Sequence, residues 1–131
     1  MGTTIVSCSN GYCTAGLSSG KPTLYRAGDG SSPALKNIHT QENPYGNGRI
    51  DIPVDADGNV HPHSGGMSSV TQPLQRWKDT WAYPSGAKPP RGITIVNDKP
   101  GHWRWEPSWE MSKTNFVDLL YSTLADWIQL D

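Results

Sequence analysis

Apolar residues recur along this chain mostly with a period of two. Thr23 to Ala27 follows Pro22 and runs into Gly28-Asp29-Gly30, so turn signals bound it on both sides and predict a strand. Alternation puts Leu24 and Arg26 on one face, with Tyr25 and Ala27 on the other. Ile93 to Val96 is an apolar, β-branched run and predicts a buried strand. His102 to Glu106 alternates again. Trp103 and Trp105 share the core face, His102, Arg104 and Glu106 share the other, and Pro107 ends the pairing. Ile50 to Val54 and Gly58 to Val60 predict a short hairpin around Asp57-Gly58.

A helical period is confined to three places. Ser112 to Leu130 predicts an amphipathic helix with Phe116, Leu120, Leu124, Trp127 and Ile128 as its apolar stripe. Within Thr71 to Tyr83, Pro73 at a first turn and Leu74, Trp77 and Trp81 at helical spacing predict a short helix. Ser32 as N-cap and Pro33 at the first helical position predict one or two turns over Ser32–Ile38. Residues 1–22 are rich in Gly and Ser and read as a loose arm, with one short strand near Thr3–Ser7. Residues 23–131 then form one α+β domain.

Composition narrows this picture. Hydrophobic content is low and Gly and Pro are plentiful, which favours strands and long loops. Six Trp supply core area that the scarce Leu, Ile and Phe do not. The formal net charge of -1, with scattered Lys and Arg, gives no argument for nucleic acid. No apolar run approaches a membrane span. The N-terminus lacks the charged start and apolar core of a secretory signal. Met1-Gly2 lacks the Ser or Thr that myristoylation needs, because Val6 stands there. Cys8 and Cys13 could pair, help bind a metal or stay reduced. Free thiols are the preferred reading.

Candidate chemistry concentrates at a few residues. Val60 to Ser69 carries paired glycines, two serines and flanking imidazoles. Gly65 and Gly66 allow close approach of a ligand, and Ser68 can hydrogen-bond it. Arg26 on an apolar strand needs a ligand phosphate or an internal ion pair with Glu106 or Asp29. Asp55 to Asn59 resembles a fragment of a calcium loop. Its Gly falls at the fourth position and no Glu follows at the twelfth, so a hairpin turn is preferred. His61 and His63 lack a nearby third ligand, and no metal site is expected. Trp103 and Trp105 suit either a core or a sugar-stacking platform, and the core reading is preferred.

Four motifs follow one another in order. These are Leu24-Tyr25-Arg26-Ala27, Val60 to Ser68 with Pro62, Gly65 and Gly66, Pro89-Pro90 to Ile95 with Asp98 beyond, and His102-Trp103 with Pro107 and Met111. Together they resemble a small family of type VI secretion effectors with an ADP-ribosyltransferase-like fold, which has fungal relatives. The likeness runs from about Thr23 through the final helix. It implies a split β-sandwich with a C-terminal helix.

It also implies NAD as substrate, held by Arg26 on the first strand. Ser68 would support the nicotinamide end, Gly65 and Gly66 would approach the ligand, and Tyr25 or Tyr83 would stack on its rings. Met67 stands where the family commonly has Thr or a small residue. Glu106, with Glu110 in reserve, would stabilise the sugar cation that forms as the nicotinamide bond breaks. The protein would be a secreted toxin acting in the target-cell cytoplasm on an unknown macromolecule, or hydrolysing NAD. A cognate immunity protein would restrain it. The alternatives are a Trp-rich carbohydrate-type binding module and a catalytically inactive member of the fold.

Overall fold

The computed structural model describes residues 21–130. The expected strand at Thr3–Ser7 and both cysteines lie outside the described residues. Eight strands follow in chain order: β1 (Leu24–Ala27), β2 (Asn59–Val60), β3 (Met67–Val70), β4 (Thr80–Tyr83), β5 (Ile93–Lys99), β6 (His102–Pro107), β7 (Met111–Ser112) and β8 (Ile128–Leu130). Among the described residues a single α-helix, α1 (Lys113–Tyr121), stands between β7 and β8 and is followed by a 3₁₀ turn at Leu124–Asp126. The result is a small mixed α+β domain, mostly antiparallel sheet, with one helix near its C-terminal end.

Six strands join in the order β5-β6-β3-β1-β4-β8, every pair antiparallel, and β2 and β7 form a separate two-stranded ladder. The ladder is uneven. β1 shares four register pairs with β4, and β3 shares four with β6, but β1 and β3 meet only at Tyr25 and Val70. The sheet is thus two three-stranded halves with a narrow join. In the β5–β6 hairpin, Gly101 (φ 74°) makes the turn and the register shifts between Asn97 and Lys99. Asp98 is the extra residue of that bulge.

The core is aromatic, as the composition implies. Tyr83, Trp105 and Phe116 are fully buried with Leu24, Leu35 and Leu120. Tyr83 meets Trp105 edge-on at 4.7 Å, and Trp105 stacks with Trp127 at 5.5 Å. Each of these indoles finds a partner, as buried Trp must. Trp105 Nε1 donates to Ser69 Oγ at 2.9 Å, and Trp127 Nε1 donates to Thr123 Oγ1 at 3.0 Å.

Four sequence expectations are corrected. No helix forms over Ser32–Ile38, because Ala34 adopts φ 63°, a left-handed conformation that a helix cannot contain. The Asp57-Gly58 turn exists, with Asp55 N–H donating to Asn59 O at 2.9 Å. Its outgoing strand β2 pairs with β7 instead of residues 50–54. Thr71–Tyr83 is a loop ending in β4. Trp81, Ala82 and Tyr83 are consecutively buried between β1 and β8, so this strand shows no alternation. The C-terminal helix stops at Tyr121, and Trp127 reaches the core from the 3₁₀ turn while Ile128 is exposed on β8.

Candidate functional site

A cleft of about 500 Å³ opens where β1 and β3 part. Arg26 from β1, Ser68 from β3 and His102 and Arg104 from β6 line it, and a loop carrying Tyr45, Arg49 and Asp51 faces them. Asp98 and Lys99 join the lining from the β5 bulge. A strict alternation would point these two neighbours to opposite faces. The extra residue lets both reach the same side, a common use of bulges.

Arg26 is fixed on all its nitrogens. Nη1 donates to the Ser68 carbonyl across the parted strands, Nε to Pro33 O at 2.9 Å, and Nη2 to Ala34 O at 3.3 Å. The guanidinium thereby replaces backbone pairing that β1 and β3 do not make. Burial lowers its pKa to about 10, against the opposing pull of Asp51 and Tyr45. It remains protonated at neutral pH. Neither Glu106 nor Asp29 is its partner, so the internal ion-pair reading of Arg26 is corrected.

Four cationic side chains, Arg26, Arg49, Lys99 and Arg104, line the cleft against two carboxylates, Asp51 and Asp98. The local balance is positive although the whole chain is slightly negative. Such a concave excess concentrates anions. Arg49 lies over the Tyr45 ring at 4.6 Å, and the His39 ring packs against Tyr45 with ring centroids 3.7 Å apart. Asp51 anchors the loop by accepting from His39 N–H at 2.8 Å and from the Tyr45 hydroxyl.

His102 Nδ1 donates to Asp98 Oδ1 at 2.6 Å, since a carboxylate can only accept. Partial burial pushes the Asp98 carboxyl up, but the His102 hydrogen bond and the charges of His102 and Arg104 outweigh it and hold Asp98 below its usual range. Arg104 turns between Asp98 and Glu106, with Nη2 at 3.1 Å from Glu106 Oε2.

The expected site residues divide. Arg26 and Ser68 converge on the cleft, and Gly66 lines it. Glu106 does not line it. Its side chain is only 2% exposed, held by Arg104 and by His63 Nδ1 at 3.2 Å. Glu110 is exposed and lies beyond the cleft lining, donor-bound by Asn59 Nδ2 at 2.9 Å. Tyr83 is fully buried and cannot stack on a ligand, so that expectation is corrected. Tyr25 lines a shallower hollow of about 210 Å³ beside Trp77.

The paired glycines serve close packing of backbone. A Cβ on Gly65 would stand 2.2 Å from Asp51 O, and one on Gly66 would stand 2.0 Å from Trp105 O. Met67 is a core residue, 1% exposed, which accounts for an apolar side chain before Ser68. Sequence reasoning missed Tyr45, Arg49 and Asp51, which sit in an irregular loop with no period to read. It named Asp98 only as a motif position, and His102 as a motif position on the polar face shared with Arg104 and Glu106.

A second cluster lies at the β2–β7 corner. Asp55, His61 and Glu110 bring their ligand-type atoms within 4.8 Å of one another. The two carboxylates address different ring nitrogens: Asp55 Oδ2 is 2.7 Å from Nε2, and Glu110 Oε1 is 4.0 Å from Nδ1. A metal can use only one of those nitrogens, so the arrangement suits a clamped imidazolium better than an ion. The hydrogen bond to Asp55 raises the His61 pKa, and hydrogen bonds from Asn59, His61 and Asp57 lower that of Asp55.

No protein-family model matches the chain, and no curated protein matches it. No helix among the described residues is long and apolar enough to cross a membrane.

Proposed function

We propose that this protein is a cytotoxic effector of the ADP-ribosyltransferase-like kind. It acts on NAD, transferring ADP-ribose to a target macromolecule or hydrolysing NAD. The observation that carries the reading is the Arg26 guanidinium at the join of the two sheet halves, on the floor of a cleft with a cationic excess. A six-stranded sheet parted into halves is compatible with the split β-sandwich of that fold. A diphosphate is the part of NAD such a cleft suits, because guanidinium forks match phosphate oxygens. Tyr45, which lines the cleft beneath Arg49 and beside His39, supports the cationic wall that would face the diphosphate.

The carbohydrate-platform reading has less support than the NAD reading. Trp105 is fully buried and Trp103 is half-buried on a separate hollow, so the two rings do not form a paired stacking platform. The burial of Glu106 behind Arg104 favours a site in which this carboxylate does not meet the sugar directly. Delivery into a target-cell cytoplasm, and an immunity protein that covers the cleft in producing cells, belong to the same proposal.

Calorimetry with NAD, paired with measurement of nicotinamide release with and without target-cell lysate, tests it. Arg49 is exposed and makes no core contact, so Arg49→Ala should leave the fold intact and weaken NAD binding about tenfold, the scale of one charge-assisted phosphate contact. No NAD binding by the wild-type protein overturns the reading.

A further inference from the structure

The Asp98–His102 pair has the parts of a proton acceptor. Its Nδ1 is committed to Asp98 at 2.6 Å, and Nε2 has no partner among the described residues. Both residues line the cleft, and both are partly exposed, with side chains 20% and 23% accessible. The bulge that displaces Asp98 from the regular ladder is what sets its carboxylate beside His102. A carboxylate on one ring nitrogen fixes the tautomer and leaves the other nitrogen a free base. Glu106, the residue first expected to supply a carboxylate, is sealed by Arg104 and His63.

We propose that His102 is the general base of the cleft and Asp98 its positioning residue, with water as the nucleophile that His102 activates. The inference rests on the NAD reading and deepens it. The water oxygen forms a bond to the ribose carbon as the carbon–nitrogen bond to nicotinamide breaks. The electron pair of that bond stays on the ring nitrogen, so nicotinamide leaves neutral. The water proton passes to His102 Nε2 and then to solvent. Nothing is oxidised or reduced. The cationic side chains Arg26, Arg49, Lys99 and Arg104 take no part in the proton transfer; they hold the diphosphate.

His102→Ala, measured with NAD alone, should release nicotinamide at least about a hundredfold more slowly than wild type, within the range for loss of a general base. Its NAD affinity by calorimetry should be unchanged, and added imidazole should restore part of the rate. Rescue separates a missing base from a merely distorted fold. Asp98→Asn keeps the side-chain shape and should slow release about tenfold, the lower end for loss of a supporting partner. A folded His102→Ala with wild-type turnover overturns the proposal, as does loss of NAD affinity equal to the loss of rate. NAD binding by wild type with no nicotinamide released in the absence of lysate also overturns it and leaves the binding reading standing. Absence of NAD binding overturns both.

Discussion

Two histidine–carboxylate pairs in this molecule have nearly the same bond length and opposite circumstances. Asp98 and His102 meet at 2.6 Å on the wall of a cleft, and the second ring nitrogen has no partner among the described residues. Asp55 and His61 meet at 2.7 Å on the β2–β7 corner, and the second ring nitrogen faces Glu110. A histidine with one nitrogen committed can exchange a proton with a ligand. A histidine flanked by carboxylates on both nitrogens is biased toward its protonated form. The contrast shows that spacing and residue type do not define a site; what the second nitrogen faces does.

The largest expected difference is in turnover. His102→Ala should lose a hundredfold or more while His61→Ala leaves nicotinamide release unchanged. Equal losses in the two variants would erase the distinction. Next is the support beneath the cleft. Arg26→Ala strands three carbonyl acceptors, of Ser68, Pro33 and Ala34, and should lower unfolding stability by about 3 kcal/mol in urea titrations. Loss of NAD binding in that variant is interpretable only after its fold is checked, because the residue holds the halves together as well as facing the ligand.

The two glutamates sharpen the same comparison at smaller scale. Glu106→Gln removes a buried charge from Arg104 and should cost about 2 kcal/mol. Glu110→Gln, with its side chain 53% exposed, should change stability by less than about 0.5 kcal/mol. Matching costs would mean that burial does not govern these pairs.

The smallest effect is a pH dependence at the corner. The folded state raises the His61 pKa above 6.5, so its contribution is complete below that value and fades as pH rises through the folded pKa. Asp55 is depressed below 3.8, so its contribution is present above that value and is lost as pH falls through the folded pKa. The clamp is therefore tightest between about 3.8 and 6.5. NMR titration should find the His61 midpoint above 6.5 in the wild type and closer to it in Asp55→Asn.

Much of the sheet was legible because its strands alternate or are bounded by turn residues. β1, β5 and β6 follow from Pro22 and Gly28, from the β-branched run at Ile93, and from the Trp103–Trp105 alternation. β4 was read as helix because Trp77 and Trp81 stand four apart. Trp77 is only half-buried in a loop, and Trp81 is buried in a strand covered on both faces. The cleft was half legible. A charge on an apolar strand pointed to Arg26, and Gly-Gly-x-Ser pointed to Ser68. Glu106 was placed with them because it shares a strand face with Arg104, yet Arg104 and His63 close over it. Asp98 needed knowledge of a bulge, which depends on two strands at once. Tyr45 and Asp51 depend on the path of an irregular loop that only tertiary contact fixes.

The narrow join between β1 and β3 also bears on the order of assembly. The β5–β6 hairpin closes over a few residues, whereas β1 must find β4 more than fifty residues later in the chain. Local pairings form sooner than remote ones, because loop closure has to precede their contacts. The cleft takes its walls from both halves of the sheet, and Arg26 can bridge them only after each exists. Pulse-labelled hydrogen exchange should find β5 and β6 amides protected before those of β1. On that order the site is the last part of the domain to be completed, and a half-folded chain has no activity to restrain.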